Sequence, residues 1–178
     1  FIVEPKKYPG FEARPIEMHG LSKALRTNAV FLDDFVVPVE NRLGAEGDGF
    51  KIVMRALQPG RVTVAAKALG VARACFEDAV TYANERELRG APIGKFQMIQ
   101  SDIAEMAVAI EASRALVYKA AQYMDADLPS NRIAALAKYH ASQTAKMVAD
   151  KSQQVFGGYG LALEYRVSWL KSSADLFL

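Results

Sequence analysis

From residue 49 onward the apolar positions fall at helical spacing. Phe96, Ile99, Ile103, Met106, Ile110, Val117, Ala120 and Met124 recur in threes and fours, broken only by Ser113. They predict one apolar stripe on a helix covering about residues 96–126. An earlier stretch, about 49–87, carries Phe50, Val53, Leu57, Val64, Leu69, Val71, Cys75, Ala79 and Tyr82, with a kink expected at Pro59-Gly60. A third helix is expected after Ser130, whose hydroxyl suits an N-cap, through Ile133, Leu136, Ala137, Ala141, Val148 and Val155 to a stop at Gly157-Gly158. A fourth, from about 164 to the end, is amphipathic through Tyr165, Trp169, Leu170 and Leu176. Four long helices with short connections predict a mainly α chain built as an antiparallel four-helix bundle.

Residues 1–43 follow another pattern. Pro5, Pro9, Pro15 and Pro38 all fall there, and the apolar residues come in short runs between turn signals. Ala29-Val30-Phe31-Leu32, then Asp33-Asp34, then Phe35-Val36-Val37-Pro38 reads as a strand, a turn and a second short strand, and Phe1-Ile2-Val3 reads as the middle of another. So few strands do not make a complete sheet, and an open edge with an apolar face needs covering. The expectation is a few β-strands from the end of a β domain, in a chain that is a fragment of something longer.

Composition narrows the function classes. The 178 residues are 51% hydrophobic and 24% charged, with a net charge of +2. Both signs are scattered, which argues against a nucleic-acid partner. The one cysteine, Cys75, excludes an internal disulfide, and with His19 and His140 alone beside it no metal-site spacing exists. Cys75 lies on an apolar stripe and reads as core, the two histidines as ordinary loop and helix residues. Tyr118, Tyr123, Tyr139 and Trp169 read as packing rather than as a base-stacking platform. No run of about 18 apolar residues predicts a membrane span, and no targeting segment is visible. A bacterial cytoplasmic setting is the expectation, with the mitochondrial matrix as the alternative.

Four segments carry candidate chemistry. Gly44-Ala45-Glu46-Gly47-Asp48-Gly49 has the glycines of a phosphate loop, but Glu46 and Asp48 would repel a phosphate, which favours a plain loop leading into a helix. Arg61 follows Pro59-Gly60 inside an apolar stretch, where a guanidinium must snorkel or meet a partner. Arg86, Glu87, Arg89, Gly90 and Pro92 form a charged helix end and turn. That segment is either a cationic helix terminus favoured by the dipole or an arginine aimed at a phosphate. Gln154 through Gly160 ends the third helix with Gly157, Gly158 and Gly160, which can serve as a helix stop or admit a ligand close to the backbone. No Ser-His-Asp, Cys-His or metal-hydrolase constellation is present.

Taken in order, these pieces resemble the C-terminal portion of the flavin-dependent acyl-CoA dehydrogenase family. The matching motifs are Ala29 through Gly44, Gly47-Asp48-Gly49-Phe50, Gly60-Arg61, Arg86 through Gln97, and Gln154 through Gly160. The resemblance implies that residues 1–43 are the last strands of a middle β domain and residues 44–178 a C-terminal four-helix domain. It implies FAD as cofactor, an acyl-CoA as substrate, a homo-oligomer (dimer or tetramer), and an electron-transferring flavoprotein as redox partner. By that resemblance Arg86 meets the FAD pyrophosphate of the neighbouring subunit and Gln97 lies near the adenosine part. Gln154, Gly157 and Gly158 lie along the dinucleotide, and Leu88, Arg89, Ile93 and Phe96 lie at the adenine end. Arg61 is implied at the acyl-CoA pocket.

The resemblance places the catalytic glutamate a few residues beyond Leu178, so no catalytic residue is assigned. Gly60 stands where a minority of members carry that glutamate, and it has no side chain to act as a base. Arg89 replaces a usual aromatic residue, and Lys171-Ser172-Ser173-Ala174 departs from the usual last-helix pattern. The run Trp169-Leu170-Lys171-Ser172 resembles members acting on cyclic or aromatic-pathway acyl-CoAs in anaerobes. Two other readings stand beside this one: a non-catalytic helical oligomerisation module, and an oxidase or flavin monooxygenase of the same architecture.

Overall fold

The computed structural model describes residues 1–17 and 27–178, which divide into two units, Phe1–Leu57 and Gln58–Leu178. His19 lies outside the described residues. The first unit is built on two antiparallel strands, β1 (Phe11–Ile16) and β2 (Thr27–Leu32), with Phe11 opposite Leu32 and Ile16 opposite Thr27. β2 contains the expected strand at 29–32, but its partner lies earlier in the chain than expected, and residues 35–38 form no strand. The chain turns instead at Asp33-Asp34. The Asp33 amide donates to the Gly10 carbonyl at 2.8 Å and Asp34 takes a φ of +46°. Phe35 is then used for packing, its ring 6.1 Å from Tyr8 and 6.0 Å from Phe11.

Gly10 is required at this junction, because its φ is +88° and an added Cβ would stand 2.1 Å from the Asp33 carbonyl oxygen. Residues 1–3 are not strand either: a 3-10 turn covers Pro5–Lys7, and the Ile2 amide reaches the Asn41 carbonyl at 2.9 Å. Val30, Phe31 and Leu32 are exposed on this two-stranded sheet.

Helix α1 (Gly49–Glu85) continues through Pro59, which lacks the N–H that would bond the carbonyl one turn back. Ahead of it, the glycine-rich segment is a plain turn. The Ala45 amide donates to the Asp48 carboxylate at 3.3 Å, and Arg42 pairs with Glu46 at 2.9 Å. Phe50, Val53 and Leu57, placed on the apolar stripe by spacing, are exposed.

In the second unit α1 is followed by a two-stranded hairpin, β3 (Glu87–Leu88) with β4 (Ala91–Pro92), then α2 (Gln97–Asp125), α3 (Asn131–Phe156) and α4 (Arg166–Ala174). The core of α1 is a row of small residues, Ala65, Ala68, Ala72, Cys75, Ala79 and Ala83, and α3 answers with Ala137, Ala141, Ala145 and Ala149. Small side chains let backbones approach, and the buried Ser152 hydroxyl on α3 donates directly to the Cys75 carbonyl on α1 at 2.8 Å. Bulk comes from α2, through Met106, Ile110 and Val117.

Ser113, the one polar break in the α2 stripe, is fully buried. Its hydroxyl donates to Thr144 at 2.9 Å and lies 2.9 Å from His140 Nδ1. Ion pairs join the helices: Arg166 grips Asp78 with two bonds, Lys151 meets Asp102 and Glu105, and Lys171 meets Asp150. Among the described residues no helix is long and apolar enough to cross a membrane.

The mainly α architecture with four helices is as expected, with several corrections. α4 is shorter than expected: it begins at Arg166, after a turn at residues 163–164, and ends at Ala174, where a 3-10 turn over Asp175–Phe177 takes over. Ser130 stands at the start of α3, but its hydroxyl does not cap the helix; it accepts a bond from the Gln58 amide at 2.8 Å. Tyr118, Tyr139 and Trp169 are exposed rather than packed, and so is Leu136. They lie off the faces that the alanine rows bring together.

Candidate functional site

The site forms where helix ends converge. α1 ends at Glu85, and the Arg86 amide still bonds back to the Tyr82 carbonyl at 2.8 Å. The chain then makes the β3–β4 hairpin around Arg89-Gly90, both with positive φ (+55° and +80°). It returns so that the Ile93 amide donates to the Arg86 carbonyl at 2.8 Å. This arrangement holds Arg86 at the mouth of the hairpin. A 3-10 turn over Ile93–Lys95 presses on α1 at Gly94, where an added Cβ would stand 3.1 Å from the Ala83 carbonyl oxygen. α2 begins there without a side-chain cap and without an acidic residue in its first turn. Its first amides therefore offer unpaired donors and the positive end of the helix dipole.

From the other side α3 ends at Phe156, and Gly157 takes φ +59° and ψ −136°, a conformation open to glycine. An added Cβ on Gly157 or Gly158 would meet no atom of the described chain within 4 Å, so at these two positions the backbone itself is presented. Gly160 differs: there a Cβ would fall 2.6 Å from the Gln153 carbonyl oxygen, so that glycine serves internal packing.

Between these elements runs a groove of about 570 Å³. Leu88, Ile93, Phe96 and Ile99 give it an apolar wall, and Gly157 and Gly158 a backbone wall. Arg86 is its cationic residue. The guanidinium lies 5.6 Å from the centre of the Tyr159 ring, and among the described residues no carboxylate stands within 4.0 Å of it. The floor is an aromatic cluster: Tyr82 stacks on Phe156 at 4.1 Å, and Tyr165 meets Phe156 edge-on at 5.4 Å. Burial pushes the Tyr82 phenol above its ordinary pKa, with Arg86 opposing the shift. Beyond the Tyr82–Phe156 stack lies a second groove of about 400 Å³, lined by Asp78, Glu85 and Glu164 and by Arg166, which pairs with Asp78, so that its net charge is negative. The stack thus separates a cationic groove from an acidic one.

The structure brings together Arg86, Leu88, Ile93, Phe96, Gly157 and Gly158 from the sequence-derived residues. Arg89, Gln97 and Gln154 do not line the groove. They are exposed at its margins, in the hairpin turn, at the first position of α2 and near the last turn of α3. Arg61 belongs to a different place: half-buried on α1, it lies ~30 Å along the helix axis from Tyr82 at 1.5 Å per residue. The aromatic floor was not legible in the sequence, and of the hairpin only the turn in Arg86–Pro92 was. Tyr82 was legible only as a stripe residue, and Phe156, Tyr159 and Tyr165 gather around it through the turn after α3.

Anions fit the groove. A guanidinium without a carboxylate, open helix amides and exposed glycine backbone are donors that favour phosphate, and the apolar wall suits a planar ring. The family model described as "Acyl-CoA dehydrogenase, C-terminal domain" matches residues 47–177. Glutaryl-CoA dehydrogenase of Desulfococcus multivorans is 43% identical over 169 residues, 94% of this chain and 43% of that protein. The short-chain specific acyl-CoA dehydrogenase of Clostridium acetobutylicum is 42% identical over 176 residues, 99% of this chain and 46% of that protein. Among solved structures, a glutaryl-coenzyme A dehydrogenase in complex with glutaryl-CoA superposes with a TM-score of 0.95 at 41% identity, over 99% of this chain and 45% of that one. Butyryl-CoA dehydrogenase from Megasphaera elsdenii gives 0.91 at 42% identity, over 95% of this chain and 44% of that one. The chain therefore spans less than half the length of these relatives, and with its helical unit matched almost end to end it belongs to the acyl-CoA dehydrogenase family, as that family's C-terminal domain.

Proposed function

We propose that this chain is the C-terminal part of an enzyme that dehydrogenates an acyl-CoA thioester between its α and β carbons with FAD as hydride acceptor. In this reading residues 1–43 complete a middle β domain and residues 44–178 form the helical domain. The observation that carries it is the Arg86 groove: a guanidinium with no carboxylate partner among the described residues, beside glycine backbone and an apolar wall, on a family scaffold. Arg86 supplies two parallel donors for a diphosphate, Gly157 and Gly158 allow the dinucleotide to lie against the backbone, and Leu88, Ile93 and Phe96 face its adenine end. Gln97 and Gln154 bond its polar edges from the margins. When bound, FAD would supply the hydride acceptor for the β-hydrogen, with the α-proton going to a carboxylate.

No residue of this chain is assigned as that base. The family resemblance puts it just beyond Leu178, and Gly60 cannot act in its place. Arg61, remote from the groove, is assigned to the acyl-CoA side. The cofactor held here belongs to a second copy of the protein, so the groove is one half of a subunit interface. The exposed Val108, Tyr118 and Tyr139 of α2 and α3 favour such self-association. An electron-transferring flavoprotein is the proposed reoxidant. One relative is named as a subunit of a caffeyl-CoA reductase–Etf complex, which supports that assignment.

The test is an anaerobic absorbance titration of the complete protein with straight-chain, dicarboxylic and cyclic acyl-CoAs. Bleaching of bound flavin by one class is expected. Bound flavin that no acyl-CoA bleaches refutes the reaction, and absence of flavin refutes the groove assignment. Arg86→Met is expected to weaken FAD binding by roughly 10–100-fold, the worth of a charge-assisted pair.

A further inference from the structure

We propose that Lys138 is a positioning residue for removal of the α-proton: from α3 it holds the main chain at Phe177 and Leu178, and so sets the place of the carboxylate that follows. The proposal rests on the reading above, in which that carboxylate lies just beyond Leu178. In the step it serves, the α C–H bond breaks as an O–H bond forms on the carboxylate. The freed electron pair becomes the new carbon–carbon π bond as the β-hydrogen leaves as hydride.

The chain leaves the helical unit through a weak element. α4 gives way at Ala174 to one 3-10 turn, Asp175–Phe177, whose hydrogen bonds are poorer in geometry than those of an α-helix. Three contacts with the bundle fix its direction. The Phe177 side chain is buried in the helical core. Asp175 pairs with Lys146 of α3 at 2.8 Å. The Lys138 ammonium, two turns earlier on the same row of α3, donates to the Phe177 carbonyl at 2.8 Å and to the Leu178 carbonyl at 3.1 Å. Ser142, midway along that row, is buried with its hydroxyl bonded to nothing among the described residues, so the polar grip of the row on this turn comes from the two lysines.

Lys138 differs in kind from the other lysines that make contacts. Lys7, Lys146, Lys151 and Lys171 pair with carboxylates, whereas Lys138 is the one lysine among the described residues whose ammonium bonds main-chain carbonyls. Such bonds are charge-assisted, and two of them from one nitrogen fix the position and the direction of consecutive peptide units. A few residues of extended chain span roughly 10 Å, so a tilt of the turn reaches the carboxylate as a shift of ångström size. A misplacement of about 1 Å at a reacting group costs about 100-fold in rate.

The test uses the complete FAD-loaded protein, mixed anaerobically in a stopped-flow instrument with the acyl-CoA that bleaches the wild type. Lys138→Met removes both donors and is expected to slow bleaching by roughly 10–100-fold. Flavin content and the acyl-CoA concentration giving half the maximal rate should stay within about twofold of the wild type, as for an interaction that matters in the transition state alone. Lys138→Arg keeps a cationic donor and should retain most of the rate. Asp175→Asn, which loosens the neighbouring surface pair, should slow bleaching by a few-fold. Bleaching of Lys138→Met at the wild-type rate overturns the proposal. So does a loss that arginine does not recover at all, or one that comes with lost flavin or a raised half-saturation, the marks of a general loosening of the site. If Lys138→Met does not fold, Asp175→Asn decides: slower bleaching with flavin intact supports the proposal, and an unchanged rate overturns it. A wild type whose flavin no acyl-CoA bleaches refutes the reaction itself, a failure seen before any substitution is made.

Discussion

Cys75 provides a pH-dependent test of the α1–α3 packing. The thiol is fully buried in the alanine row, and burial, with Asp78 adding to it, pushes its pKa from 9.0 up to about 12. A raised thiol pKa means that the folded state keeps the proton when the unfolded chain has released it. The contribution is therefore complete below pH 9 and is lost as pH rises towards 12, at about 1.4 kcal/mol per pH unit. Replacing Cys75 by alanine removes this dependence and costs about 1 kcal/mol of packing that does not vary with pH. The two effects cancel about one unit above the free thiol's pKa. Urea unfolding of residues 1–178 under reducing conditions should show the wild type more stable at pH 8, equal stabilities near pH ~10, and the alanine variant more stable above that. Lysine and tyrosine titrations are common to both proteins and drop out of the difference. If the two stability curves stay parallel from pH 8 to 11, Cys75 is reached by water and the tight approach of α1 to α3 is wrong.

Two further outcomes probe the packing. Ser113→Ala leaves Thr144 and His140 Nδ1 without their buried partner and is expected to cost about 2 kcal/mol in the same assay, whereas Thr81→Ala on the exposed face of α1 should cost under about 0.5 kcal/mol. Gly160→Ala forces a Cβ to within 2.6 Å of the Gln153 carbonyl oxygen, against backbone that cannot swing aside. It should lower the melting temperature and also weaken FAD binding, because the turn it distorts carries Tyr159, Gly158 and Gly157. Gly158→Ala, which meets nothing in the chain, should leave the melting temperature unchanged.

The helical unit was legible because its signals are local and periodic. The spacing from Phe96 to Met124 gave α2 to within a residue at each end, and Ser130 and Gly157-Gly158 bracketed α3, although Ser130 spends its hydroxyl on Gln58 rather than on a cap. Periodicity alone did not tell which face meets a neighbour. The buried faces of α1 and α3 run along alanines, whose rows carry little hydrophobic weight, while the larger Leu136 and Tyr139 of α3 stay exposed. The strand region failed for the opposite reason. Phe35-Val36-Val37 has the composition of a strand, but pairing is decided by a distant partner and by a turn, and Gly10 with Asp33 commits β2 to the segment before it.

The groove shows where local reading ends and topology takes over. Arg86, Gly157 and Gly158 could be named from the sequence because each sits at a helix terminus, where the reason for the residue is close by in the chain. Tyr82 and Phe156 could not be joined in this way. They stack only because α1 and α3 end side by side, and no spacing rule links positions so far apart. The same stack divides the basic groove from the one lined by Asp78, Glu85 and Glu164, so adjacent residues Glu85 and Arg86 face different surfaces. A run such as Asn84-Glu85-Arg86-Glu87, read alone, is a nearly neutral solvated helix end. Its separation into one acidic and one cationic surface arises from the turn of the chain at Arg86, and that turn depends on the hairpin that Arg89 and Gly90 close.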